Sequence, residues 1–128
     1  MAMQTCQLTV ETTGEAGAAT GSVTSPVITG YIYDIYLNYS ASAPATTDVT
    51  IAYGTPAGGN ILAKANSATD TLYVPRKATC DNAASALTWY EQFYIDGTFT
   101  IAVAECDALA AALVVTVRYD PNDWRTRR

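Results

Sequence analysis

Histidine is absent from this chain of 128 residues, and charge is sparse: seven Lys and Arg against twelve Asp and Glu. Without histidine there can be no Ser-His, Cys-His or His-metal arrangement. The net charge of −5 argues against nucleic acid, whose affinity for proteins comes largely from Lys and Arg neutralising phosphates. No Lys or Arg occurs before Lys64, whereas Glu11, Glu15, Asp34 and Asp48 all lie in that half. No apolar run approaches the roughly 20 residues that span a bilayer. The stretch MAMQTCQLTV also lacks the basic segment and long apolar run of a secretory signal. No membrane partner is therefore expected, and the glycosylation sequon at Asn38-Tyr39-Ser40 carries no weight.

Cysteine is scarce too. Cys6, Cys80 and Cys106 cannot all pair within one chain, and their spacing fits no metal motif. Reduced thiols are expected, with Cys6 sharing strand parity with Leu8 and Val10 as a small buried hydrophobe. Cys80 follows Arg76 and Lys77, neighbours of the kind that lower a thiol pKa, but with no general base it reads as inert. A chain of this length buries roughly two-thirds of its unfolded surface and needs neither metal nor disulfide to hold a core. The Gly-rich GTPAGGN lacks the Gly-Lys-Ser/Thr that cradles phosphate, so it reads as a hairpin turn. Paired carboxylates serve glycoside hydrolysis or, with carbonyls, calcium. Here Asp34, Asp48, Asp120 and Asp123 fall in no dense Asp/Asn/Gly loop and read as solvated strand-end acids. No catalytic residue, cofactor or metal site is assigned, and an enzyme is not expected.

What the sequence has in abundance is Ala, Thr, Val and Tyr in period-two alternation, the pattern of half-buried strands. Leu8 and Val10 alternate with Thr9 and Glu11; Val49, Ile51 and Tyr53 alternate in the strand that Asp48 opens. Short strands follow at Ile61–Ala65 and in TLYVP, which Pro75 ends. A further strand is read at Leu87–Ile95, then an Asp96-Gly97 hairpin turn, then Thr98–Glu105 and finally Leu113–Tyr119. Thr13–Ser25 is Gly-, Ala-, Ser- and Thr-rich and reads as a loop, as does RKATCDNAAS; Asp107–Ala112 reads as a tight loop or one helical turn. The sum is an all-β chain: about eight antiparallel strands in a jelly-roll-like β-sandwich, one domain over residues 1–120, with a basic tail over 121–128.

The longest strand, VITGYIYDIYLNYS, places Tyr31, Tyr33, Ile35, Leu37 and Tyr39 on one face by parity. That face is read as core, so that Tyr33→Ala is expected to cost about 3 kcal/mol. The other face is mixed, and its Ile32 and Tyr36 are candidates for a contact surface. Aromatic side chains on a sandwich face also stack on sugars, which keeps a carbohydrate-binding module as an alternative. In the tail, Trp124 beside Arg125, Arg127 and Arg128 groups residue types enriched at interface hot spots. These four are candidates for docking on an acidic patch of a neighbouring subunit or another assembly.

The order of segments SPVITGYIYDIYLNYS, ATTDVTIAY, ILAKANSATDTLYVPRKA, DGTFTIAVAEC and VVTVRYD resembles small β-sandwich proteins of tailed-bacteriophage heads, the capsid decoration or cement proteins. The most diagnostic pieces are Thr47-Asp48-Val49-Thr50-Ile51, Tyr73-Val74-Pro75-Arg76 and Asp96-Gly97, and the likeness runs from about Pro26 to Asp120. The resemblance implies a structural virion protein, assembled in the bacterial cytoplasm, that binds the outside of the capsid shell and reinforces it. The implied partners are the major capsid protein and further copies of itself, a homotrimer before a dimer. A head-fibre or tail protein on the same module is the nearest alternative.

Overall fold

The computed structural model describes residues 3–54 and 59–121. Among them eleven strands form, every pairing antiparallel, and no helix. They are β1 (Gln4–Val10), β2 (Ala19–Thr24), β3 (Ile28–Tyr39), β4 (Asp48–Tyr53), β5 (Asn60–Lys64), β6 (Thr71–Tyr73), β7 (Lys77–Cys80), β8 (Ala86–Glu91), β9 (Tyr94–Gly97), β10 (Phe99–Cys106) and β11 (Leu113–Asp120). One sheet runs β1-β11-β3-β6, with β9 on the other half of the same edge of β3; the second runs β2-β10-β4-β5; β7 and β8 pair only with each other. Setting β7, β8 and β9 aside, β1 pairs with β11, β2 with β10, β3 with β6 and β4 with β5. First with last, second with second-to-last: this is one long hairpin rolled up into two facing sheets, the jelly-roll path.

The core lies between those sheets, and in most strands the alternation fills it as expected. Val49 and Ile51, Phe99, Ile101 and Val103, and Leu113, Val115 and Val117 are all buried. Each such side chain stabilises the fold by roughly 1.5–3 kcal/mol relative to leaving it in water.

In β3 the parity reading needs correction. Ile28, Gly30 and Ile32 are buried in its first half, and Ile35, Leu37 and Tyr39 in its second. The switch occurs where the register against β11 slips. Arg118 lies opposite Asp34 and Tyr119 opposite Ile32, leaving Tyr33 as an extra residue. Such a bulge puts two consecutive residues on one side of the strand and reverses parity beyond it. Ile32, expected on the contact surface, is therefore 1% exposed in the core, while Tyr33, expected in the core, is 45% exposed.

Three other expectations change. Thr13–Ser25 contains β2, an edge strand whose Gly21 runs so close to the backbone just after β1 that a Cβ would meet the Glu11 carbonyl oxygen at 1.9 Å. The RKATCDNAAS loop contains β7, so that Leu87 to Glu91 return along it as β8 and the chain enters a separate strand at Tyr94. Asp96-Gly97 is not a hairpin turn. Both residues pair with β3, and the chain crosses to the other sheet at Thr98, helped by Gly97 at φ +144°. Asp107–Ala112 is a loop ending in a turn. The GTPAGGN turn lies partly outside the described residues, and Trp124, Arg125, Arg127 and Arg128 of the tail lie wholly outside them.

Candidate functional site: an aromatic hairpin and the groove at its base

The core cluster stops at Tyr73 and resumes at Phe93; nothing between them belongs to it. That interval is the β7–β8 hairpin with its two connections. Every residue of β8 is exposed, including Leu87, Trp89 at 70% and Tyr90 at 68%. The hairpin is held by its own hydrogen bonds. Asp81 Oδ1 accepts from the amides of Ala83 (2.8 Å) and Ser85 (2.9 Å), closing the turn, and the Thr79 hydroxyl donates to the Trp89 carbonyl at 2.9 Å. A two-stranded hairpin without a packed face is marginal in water, yet this one displays large apolar side chains. On the body itself, Tyr36 on β3 is paired with Leu72 on β6, and both are exposed, as is Val74. Tyr36 thus stands on the surface where sequence parity put it.

The hairpin is tied to the body at the bulge. Arg76 Nη1 donates to the carbonyls of Tyr33 (3.2 Å) and Pro75 (2.8 Å), and Gln92 Nε2 donates to the Ile32 carbonyl at 3.3 Å. Irregular backbone leaves carbonyls in need of donors, and the side chains at the two hairpin roots supply them. On the outer face of the bulge Arg118 chelates Asp34, with Nε 2.8 Å from Oδ1 and Nη2 on Oδ2, and its guanidinium lies 5.5 Å from the centre of the Tyr33 ring. Asp34 is only 2% exposed beneath it, and its carboxylate in turn holds the Arg118 guanidinium above its ordinary pKa. Asp34 is thus a buried bulge residue and not a solvated acid.

Between the outer face of β3 and the base of β8 lies an open groove of about 600 Å³, lined by Tyr31, Tyr33, Arg76, Tyr90, Glu91 and Gln92. Tyr31 is braced edge-on by Tyr94, with ring centres 5.0 Å apart. Parity alone pointed Tyr31 and Tyr33 inward; the bulge and the doubling back of β7–β8 assemble these residues, and neither had a local signal.

Of the other acids singled out, Asp48 Oδ1 accepts from the Asn66 amide (2.9 Å), Asp120 pairs with Tyr31 at the end of β11, and Asp123 lies outside the described residues. All three cysteines are free: Cys106 is buried, Cys80 exposed on the hairpin, and Cys6 half-buried, with burial pushing its thiol pKa up. Among the described residues no cluster of Cys, Asp and Glu could hold a metal ion.

No protein-family model matches this chain, and no curated protein matches it. Solved structures similar to it include the Aeromonas sobria serine protease in complex with its chaperone (8% identity, 93% of this chain and 26% of that one, TM-score 0.48). The same protease alone is another (8% identity, 94% and 27%, TM-score 0.44). A third is the exo-β-1,3-galactanase of Phanerochaete chrysosporium with galactose (11% identity, 93% and 30%, TM-score 0.35). This chain spans less than a third of each. Likenesses so distant carry no argument about activity.

Proposed function

We propose that this chain is a structural virion protein of a tailed phage, a decoration protein that binds the outer surface of the capsid shell and reinforces it as a homo-oligomer. The sequence resemblance supplies the setting. The observation that supports an assembly role is the β7–β8 hairpin, which offers Leu87 and Trp89, on the side of β8 opposite Tyr90 by strand parity, to solvent with no cover from its own subunit. Exposed apolar surface of this kind marks a protein–protein contact. With Tyr36 on β3, Leu72 on β6 and Val74 just after it also exposed, a neighbouring copy or the shell has an aromatic arm and further apolar side chains to engage.

The test is to replace residues 77–91 by a short Gly-Ser link, which the pairing of Lys77 with Glu91 makes geometrically easy. Light scattering should find the full chain oligomeric and the shortened chain monomeric, both folded by circular dichroism. Co-sedimentation with head shells built from the accompanying major capsid protein should be strong for the full chain and lost for the shortened one. A full chain that is monomeric at micromolar concentration and ignores the shells would overturn the proposal.

A further inference from the structure

The groove at the hairpin base points to a function beyond assembly: we infer that Tyr31, Tyr33, Tyr90, Arg76, Glu91 and Gln92 form a binding site for a neutral oligosaccharide. The inference stands on the lining chemistry. Tyrosine rings offer apolar faces with polar tips. Arg76 and Glu91 contribute opposite charges, so neither an anion nor a cation is favoured by the wall as a whole. An apolar ligand would strip water from Arg76, Glu91 and Gln92 without replacing its hydrogen bonds, which is costly. A pyranose ring meets both demands. Its C–H face lies on an aromatic ring, and its vicinal hydroxyls both donate, to the Glu91 carboxylate, and accept, from the Arg76 guanidinium.

Two of the polar groups, Arg76 and Gln92, are also held in place before any ligand arrives. The Tyr33 and Pro75 carbonyls engage one nitrogen of Arg76, which keeps further N–H groups to offer. The Ile32 carbonyl engages the Gln92 amide nitrogen, leaving its oxygen as an acceptor. Fixing these side chains in advance lowers the ordering cost of binding. The volume of about 600 Å³ lies in the range of sites for ligands larger than one sugar ring, and the open mouth suits a chain that continues past it.

Saturation-transfer NMR on the full chain with maltohexaose, cellohexaose and chitotetraose tests this, with methyl phosphate and choline as charged probes. At least one oligosaccharide should receive transfer. Tyr90→Ala, at an exposed position that leaves the fold intact, should weaken its binding by about tenfold or more, the scale of a lost aromatic anchor. Glu91→Gln should weaken it less. Trp89→Ala, equally exposed on the same strand but outside the groove, should leave it unchanged. The inference is overturned if no oligosaccharide binds, if only methyl phosphate or choline does, or if Tyr90→Ala and Trp89→Ala act alike. Shell binding is measured separately, so loss of one reading leaves the other standing.

Discussion

Strands β8 and β10 carry similar alternation and meet opposite fates. In β10, Phe99, Ile101 and Val103 are all buried; in β8, Leu87, Trp89 and Glu91 are all exposed. Alternation makes a strand with an apolar side. It does not say what lies against that side. β10 sits between β2 and β4, facing the other sheet, whereas β8 has only β7 beside it. The two regions differ in cover, and the uncovered one carries both candidate contacts of this protein.

The sharpest test of that contrast compares two large aromatics. Phe99→Ala should lower unfolding free energy by about 3–5 kcal/mol, since it empties a fully buried site. Trp89→Ala should change the isolated subunit by less than roughly 0.5 kcal/mol in urea denaturation. Comparable losses would mean that the hairpin is part of the core after all.

The bulge can be tested the same way within one strand. Ile32→Ala should cost about 2–5 kcal/mol and Tyr33→Ala under about 1 kcal/mol, because only the first leaves a cavity. Had β3 been regular, the order would be reversed.

Removing either partner of the ion pair at that bulge should have unequal effects. Arg118→Ala leaves the Asp34 carboxylate buried and unpaired, whereas Asp34→Asn leaves an arginine that reaches solvent. Thermal melts at neutral pH should rank Arg118→Ala as the more damaging; the opposite ranking would show that Asp34 is hydrated.

The smallest effect belongs to Tyr39, whose buried hydroxyl has no well-formed hydrogen bond among the described residues. Burial pushes its pKa above the ordinary 10.0, opposed only in part by nearby Ser67. Tyr39→Phe should be neutral or stabilise by up to about 1 kcal/mol, as loss of an unsatisfied buried group does. The pH dependence has a definite sign. A phenol harder to ionise in the folded chain ionises first in the unfolded one, so stability present below pH 10.0 falls as pH rises through and above it. Denaturation at pH 9 and 11 should show a shallower fall for Tyr39→Phe than for the parent; equal slopes would place the effect elsewhere, for instance at Tyr53, whose phenol burial also raises.

Most of the body was legible because its strands obey one local rule. β4, β10 and β11 carry large apolar residues at every second position (Val49 and Ile51; Phe99, Ile101 and Val103; Leu113, Val115 and Val117), and a strand buries what its parity selects. β2 has no local pattern because Ala19, Gly21 and Val23 are too small to mark a face; its pairing with β10 makes it a strand.

By itself, then, the sequence determined the class of the fold, the identity of most core strands and the absence of histidine chemistry, since these depend on composition and on neighbours two residues apart. Tertiary structure alone decided the side on which Ile32 and Tyr33 lie, the partner of Asp34 and the gathering of Tyr31, Arg76 and Tyr90 around one groove. A bulge is the slip of one strand against another, and a groove is the meeting of segments far apart in the chain; neither has a local pattern to read.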